Sequence, residues 1–253
     1  MEAGSRTQSA LTLLDLGAVL ENAAKFSEAR SALQQSLALF SDLGHLHYVT
    51  QAHSFLGSID MHSGRYQEAH DHAQTGLALA QVHGPRFCVS LNLLLLGCLD
   101  LAQGGYATAH QFLQDGVAVH QEVGQKDDLS LARACLAFAE CELEDTRGAR
   151  QHLFRAFETA VESGAVPPLL WVLPAMALVL AREGEKERAV ELYALASRYP
   201  LVAKSRWFAD VAGNQLATVA ASLSAERVAV AEKRGQARDL KATVAELLAE
   251  LGR

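Results

Sequence analysis

Residues 49–82 read VTQAHSFLGSIDMHSGRYQEAHDHAQTGLALAQV, and the recurrence of this stretch decides the fold. Val49, Ala52, Leu56, Gly57 and Ile59 are apolar or small at helical spacing. The break His62-Ser63-Gly64-Arg65 follows. Tyr66, Ala69, Ala73, Leu77 and Ala80 then mark a second helix. Gly84, with Pro85 behind it, closes the pair, because glycine can take the left-handed conformation that ends a helix and proline cannot continue one. The same pattern returns forty residues to either side. Gly17, Gly57, Gly97, Ala137 and Ala177 fall one period apart, as do Ala29, Ala69, Ala109, Ala149 and Ala189. So do Leu16, Leu56, Leu96, Leu136 and Met176, and likewise Gly44, Gly84, Gly124 and Gly164. Such a register, kept five times without an insertion, predicts a stack of one supersecondary unit.

Each unit reads as two antiparallel helices of about 16 residues, roughly 24 Å long. The expected architecture is an all-α, right-handed α-solenoid of five 40-residue helical hairpins with a helical C-terminal cap. The units span about 8–44, 45–84, 85–124, 125–164 and 165–200, and the cap spans 201–253. Gly17, Gly57 and Gly97 sit mid-helix, where glycine costs roughly 1 kcal/mol against alanine. That repeated cost predicts close approach of the partner helix. Phe26, Tyr66 and Tyr106 open the second helices and are expected to plug the gap between hairpins.

The pattern resembles the tetratricopeptide repeat, which places Leu-Gly in its first helix and Ala-x-x-x-Phe in its second. Here the corresponding residues are Leu16-Gly17 with Ala29 and Leu33, Leu56-Gly57 with Ala69 and Ala73, and Leu96-Gly97 with Ala109 and Leu113. Leu136-Ala137 with Ala149 and Leu153, and Met176-Ala177 with Ala189 and Tyr193, complete the series. The chain departs from the family in three ways. Leu13, His53, Leu93, Arg133 and Leu173 stand where the family has Trp; Asp60, Asp100 and Glu140 stand where it has Tyr; and the period is 40 rather than 34. The longer period looks like the maltose-regulator (MalT-like) branch. HEAT-type pairs have similar periods but lack the Leu-Gly/Ala series.

Pro200 ends the register. Ser205 to Leu223 reads as a helix carrying Trp207, Phe208, Val211 and Leu216. A second helix runs from about Ala225 to Lys233 and is broken by Gly235. Asp239 can cap a last helix whose Leu240, Val244, Leu247, Leu248 and Leu251 form one apolar stripe. Ala231-x-x-x-Gly235-x-Ala237 followed by Leu240-x-x-x-Val244 is similar to the C-terminal end of large bacterial signalling proteins, in which a helical-repeat arm follows a switch, regulator or kinase domain. That resemblance implies a sensor or interaction arm.

The 253 residues are half hydrophobic and carry a net charge of −7, which disfavours a phosphate backbone as partner. No basic segment followed by an apolar run opens the chain, and the apolar stretch from Phe87 to Ala102 is short for a bilayer and carries Asp100. Cys88, Cys98, Cys135 and Cys141 form no C-x-x-C pair and read as reduced buried thiols. A cytoplasmic protein is expected, without membrane contact, direct nucleic-acid binding, cofactor or metal. The basic residues of 226–241 (Arg227, Lys233, Arg234, Arg238 and Lys241) leave only a small positive balance over Glu226, Glu232 and Asp239.

In a stack of this kind the first helices line the concave face. By register its candidates are Leu91, Leu94, Cys98 and Leu101, then Leu131, Ala134, Phe138 and Cys141, then Trp171, Pro174 and Leu178. Unit two offers the more polar Gln51, Ser54, Ser58, Met61 and His62. The helix from Phe87 to Ala102 is apolar on nearly every side, so both of its sides should be covered. The C-terminal stripe, a partner's amphipathic helix, a small apolar ligand or tighter winding of the stack itself could each cover it. His45, His47, His53, His62, His70, His72 and His83 crowd one region but lack the i, i+4 spacing of a helical metal site, and read as a solvated face. Asp60, Asp100 and Glu140 share a register and could form an acidic ladder; on a solenoid such acids are more often exposed or paired to Lys and Arg. No G-x-S-x-G elbow or P-loop occurs. The sequence thus points to a non-enzymatic scaffold for a protein, peptide or small apolar ligand, as the arm of a larger regulator or as a free-standing adaptor.

Overall fold

The computed structural model describes residues 2–252. Helices α1 (Glu2–Asn22) and α2 (Phe26–Asp42) form the first hairpin, and α3 (Leu46–His62) and α4 (Tyr66–His83) the second. The third pairs α5 (Arg86–Gln103) with α6 (Tyr106–Val123), the fourth α7 (Lys126–Glu142) with α8 (Thr146–Ser163), and the fifth α9 (Val166–Arg182) with α10 (Lys186–Ala196). After them come α11 (Pro200–Lys204), α12 (Arg206–Phe208), a π turn (Ala209–Gly213), α13 (Asn214–Ala221), α14 (Ala225–Ala237) and α15 (Leu240–Leu251). No strand occurs among the described residues.

The 40-residue period is a backbone property as well as a side-chain one. Ala24, Gly64, Gly104, Glu144 and Gly184 all have positive φ. One residue on, the N–H groups of Lys25, Arg65, Gly105, Asp145 and Glu185 donate to the carbonyls of Leu20, Asp60, Asp100, Glu140 and Leu180 at 2.8–2.9 Å. This bond closes the last turn of each first helix in the manner of a Schellman motif. The second turn of the unit uses Gly44, Gly124 and Gly164 in the same conformation. Gly84, expected to be left-handed as well, is extended at φ −92, ψ 165. The reason is Pro85, whose ring bars the helical region to the preceding residue; Pro85 itself begins the next helix as its N-cap.

The mid-helix glycines mark close approach. A Cβ on Gly97 would stand 2.6 Å from Leu113 and 3.3 Å from the Ala109 carbonyl oxygen of α6. Phe26, Tyr66 and Tyr106 are half-buried against the core at the hairpin joints. Helix α5 is the one described helix long and apolar enough to cross a membrane. More than half of that apolar window is buried inside the stack.

Beyond Pro200 the structure departs from the reading of the tail in two places. Gly235 does not break α14, which runs on to Ala237. Its role is steric: a Cβ there would lie 2.0 Å from the Glu191 carbonyl oxygen of α10. The C-terminal stripe is also not in the groove. Helix α15, capped by Asp239 as expected, packs back on α8 and α10. Leu247 lines a small cleft together with Leu180 and Leu192, and Arg188 binds Glu250. Residues 2–7 continue α1 rather than folding over it, so Leu16 (44%) and Val19 (65%) stay exposed.

Candidate functional site

The concave face is covered from within, by the first part of the segment that follows the fifth hairpin. Pro200 lacks an N–H donor and starts the short α11, whose Leu201 and Val202 are buried. Ser205 then caps α12, accepting from the Phe208 N–H at 3.2 Å. Its Oγ also lies 2.8 Å from Nδ1 of buried His62. Trp207 is fully buried, and its Nε1 donates to the Cys98 carbonyl at 2.7 Å. Its ring stands edge-on to Phe138 (5.8 Å) and tilted against Trp171 (4.9 Å). His62 stacks between Phe26 (5.4 Å) and Phe208 (6.1 Å). The Tyr66 hydroxyl donates to Asp210 at 2.6 Å, and Arg206 binds the same carboxylate. Tighter winding contributes too, since His62 of α3 also meets Trp171 of α9.

What remains open is one cavity of about 260 Å³. All five first helices and α11 contribute to it. Leu91, Leu94, Cys98, Leu131 and Trp171, anticipated by register, line it, as do Ser54, Ser58, Met61 and His62. Phe138 and Leu101 instead face the π turn around Val211. Cys141 and Leu178 are buried, as are Ala134 and Pro174. Larger, shallower clefts lie between α10, α13 and α14 (about 590 Å³) and beside α8 (about 730 Å³), away from the concave face.

Sequence reasoning missed the acidic wall of the cavity, made by Glu21 of α1 and by Asp127 and Asp128 of α7. These belong to units one and four, and only the winding of the stack brings them together. The Glu21 side chain is 17% exposed. It accepts a short hydrogen bond from Ser58 and lies 3.7 Å from His62 Nε2. Burial pushes the Glu21 carboxyl up to about 7; the Ser58 bond opposes the rise and the Asp128 charge adds to it. Burial pushes Asp128 up to about 6, helped by Asp127. Burial also pushes His62 down to about 3 and the core residue His120 down to about 4.

These shifts set the pH dependence of stability. The two carboxyls titrate higher folded than unfolded, so their contribution is complete below pH 4.5 and 3.8 and is lost as pH rises through about 7 and 6. The two histidines titrate lower folded, so theirs is complete above 6.5 and is lost as pH falls toward 4 and 3. The groups oppose each other between these limits. His53, pushed down to about 4 by burial and then by His72, adds to the acid side, so stability is expected to peak near pH 6 and to fall on both sides. Glu21→Gln should remove most of the alkaline decline, raising the unfolding free energy at pH 8 by about 2–3 kcal/mol in urea titrations. No gain at pH 8 would mean that the charged Glu21 is well solvated.

Most of the other polar clusters pair their acids with basic side chains. Asp60 does not form a ladder with Asp100 and Glu140: it is buried and bound by Arg30 (2.8 Å) and Arg65 (2.5 Å). Glu140 meets His152 (2.8 Å) and His110 (3.6 Å). Burial raises Asp100, whose Oδ2 has no partner. The histidines are not uniformly a solvated face. His62 is core, and Nδ1 of His53 and of His72 lie 2.9 Å apart across α3 and α4; the His83 side chain lies outside the described set. In the tail, Arg227 is engaged by Glu187, and Arg238 by Glu191 and Glu246.

No protein-family model matches the sequence, and no curated protein does. Solved structures do resemble it. A Rap protein complexed with Competence and Sporulation Factor superposes with a TM-score of 0.70 at 16% identity, over 95% of this chain and 66% of that one. This chain therefore spans just under two thirds of that protein. The TPR-like repeats of a Podosopora anserina kinesin light chain give 0.53 at 17% identity, over 78% of this chain and 96% of theirs. BtubC (BKLC) from P. vanneervenii gives 0.50 at 14%, over 100% and 93%. At these identities the likeness is one of fold. With the turn geometry and the Leu-Gly/Ala series, it makes this chain a tetratricopeptide-like helical-repeat solenoid.

Proposed function

We propose that the chain is a non-enzymatic binding scaffold whose ligand, a protein segment or peptide, enters the concave cavity. The observation that carries this reading is the cavity itself. Five first helices converge on it, its floor is apolar, and among the described residues its lining sets no Lys or Arg against the acidic wall. A likeness in fold to a Rap protein held in complex with a factor is consistent with it. We further propose that the chain is the sensor or interaction arm of a larger bacterial regulator in the cytoplasm, akin to the MalT-like branch. Three features support this: the Ala231/Gly235/Ala237 and Leu240/Val244 pattern, the four free thiols, and the exposed Leu16 and Val19, which offer a face to a neighbouring unit or domain. Occupancy of the cavity would be passed on through α11, whose Leu201 lines it and which continues into α12.

A free-standing adaptor that docks a whole partner helix is the weaker reading, because α11 to α13 already fill much of the groove. An enzyme would need a cleft with shifted titratable groups, and Glu21 and Asp128 supply one. Against catalysis, His62, the imidazole on this lining, is engaged with Ser205 and stacked between Phe26 and Phe208 rather than placed to activate Ser58. The test is a thermal-shift screen of a mixed short-peptide library and of an apolar fragment set. Library members are expected to raise the melting temperature of the wild type and not of Leu131→Trp, which fills the cavity. Stabilisation that survives Leu131→Trp would move the ligand elsewhere, and stabilisation by fragments alone would favour a small apolar ligand.

A further inference from the structure

We infer that the cavity takes the guanidinium or ammonium side chain of a basic residue presented by a peptide, with its charge between Glu21 and Asp128 and its stem on Leu94 and Trp171; this rests on the concave cavity being the ligand site. Charge complementarity decides the class. Elsewhere the chain gives most of its inward-facing acids a basic partner: Asp60 two arginines, Glu140 two histidines, and Glu142 Arg182 at 3.1 Å, with Asp100 the exception. The cavity is treated differently. Its lining holds three carboxylates and no Lys or Arg. Glu21 has a hydroxyl and an uncharged imidazole for neighbours, and Asp128 has another carboxylate beside it. Glu21 and Asp128 are half-buried while Asp127 is exposed, and half-buried carboxylates without a cation make the fold less stable than neutral isosteres would, so folding alone does not account for them. A cation arriving from outside would remove that penalty.

Size and wall chemistry narrow the ligand further. About 260 Å³ lies below the range usual for drug-sized ligands and suits one long side chain with its stem. Leu94 and Trp171 offer apolar surface for the methylenes of such a stem, which prefer it to water. Asn22 on the lining offers its side-chain amide to the peptide backbone that carries it, whereas the Ser54 hydroxyl is taken up by Thr50 and Asn92. Binding would also be linked to protons. The ionisable groups that share the cavity with Glu21 are His62 from α3, the Cys98 thiol from α5, and Asp127 and Asp128 from α7; α9 and α11 bring Trp171 and Leu201, which do not titrate. A bound cation would draw Glu21 and Asp128 to the ionised form, so the complex should release protons near pH 6.5 and tighten as pH rises.

The experiment is calorimetric titration of the full chain with three pools of acetylated, amidated pentapeptides. Their central residue is Arg or Lys, Glu or Asp, or norleucine, and free agmatine is a fourth probe. The basic pool is expected to bind at least tenfold tighter than the others and to release protons at pH 6.5. It should weaken at least tenfold on Glu21→Gln or Asp128→Asn. Both variants are expected to melt no lower than the wild type at pH 8, so a loss of binding in them is not a loss of fold. Equal binding of neutral or acidic pools would overturn the cationic assignment and leave the scaffold reading standing. Basic binding unchanged in both variants would overturn the site, and agmatine matching the basic pool would overturn the peptide. Silence from all three pools would overturn this inference, and a negative fragment screen besides would overturn the scaffold reading too.

Discussion

Trp207→Ala is expected to lower the unfolding free energy by about 3–5 kcal/mol, the range for removing a large aromatic ring from a packed core. Trp207 has no exposed surface and touches three other aromatic rings. No neighbouring side chain is placed to refill its volume, since Phe138, Trp171 and Phe208 are each held by their own helix. Trp207→Phe separates the ring from its N–H. It should cost only about 1–2 kcal/mol, the worth of the hydrogen bond to the Cys98 carbonyl together with the smaller ring. Urea titrations of the three proteins give both values. Hydrogen exchange of Trp207→Ala should show lost protection in α5 and α7, where the groove is uncovered. A cost below about 1 kcal/mol would mean that the segment after Pro200 does not pack as described.

Gly235→Ala decides between two opposite expectations. A glycine that breaks a helix should be improved by alanine, by about 1 kcal/mol once the helix continues through it. A glycine that admits a neighbouring backbone should be harmed. Here the added Cβ meets the Glu191 carbonyl oxygen at 2.0 Å and the Ala194 Cβ at 2.8 Å. Backbone cannot rotate away, so α14 must lift from α10. Overpacking of this kind costs about 1–3 kcal/mol or more, against a propensity gain of about 1. The ion pairs of Arg238 and Arg188 that fasten the cap are partly exposed and would contribute little to holding it. A net loss of about 2 kcal/mol is expected, with α14 and α15 losing exchange protection before the rest. A stabilised Gly235→Ala protein would restore the helix-breaker reading.

The period was legible because each unit repeats the same local problem: two helices, a small residue where they cross, and a left-handed turn residue between them. Register then placed Leu91, Leu94, Cys98, Leu131 and Trp171 on the concave face without any tertiary information. Two things lay beyond it. Superhelical winding depends on small angles summed over units, so nothing in the spacing places Glu21 beside Asp128. The segment 200–216 has no register at all, and its partners are spread over units one to five. His62 was misjudged for the same reason: on its own helix it ends an amphipathic turn among other histidines, and it becomes core only when Ser205 and Phe208 arrive. Gly235 was misjudged because a sequence shows that a side chain is missing but not what occupies its place.

The bonds from His62 to Ser205, from Tyr66 to Asp210 and from Trp207 to Cys98 join residues 143, 144 and 109 positions apart. A repeat array without such ties folds as a one-dimensional chain of neighbours, and its ends fray independently. Here the second unit is fastened to the strand of chain that follows the fifth, which turns a row into a ring. The array should therefore melt in a single transition, with removal of its last fifty residues loosening the second hairpin as much as the fifth. It should also fold more slowly than its local helical contacts would suggest, because closing the ring must wait for the far end of the chain.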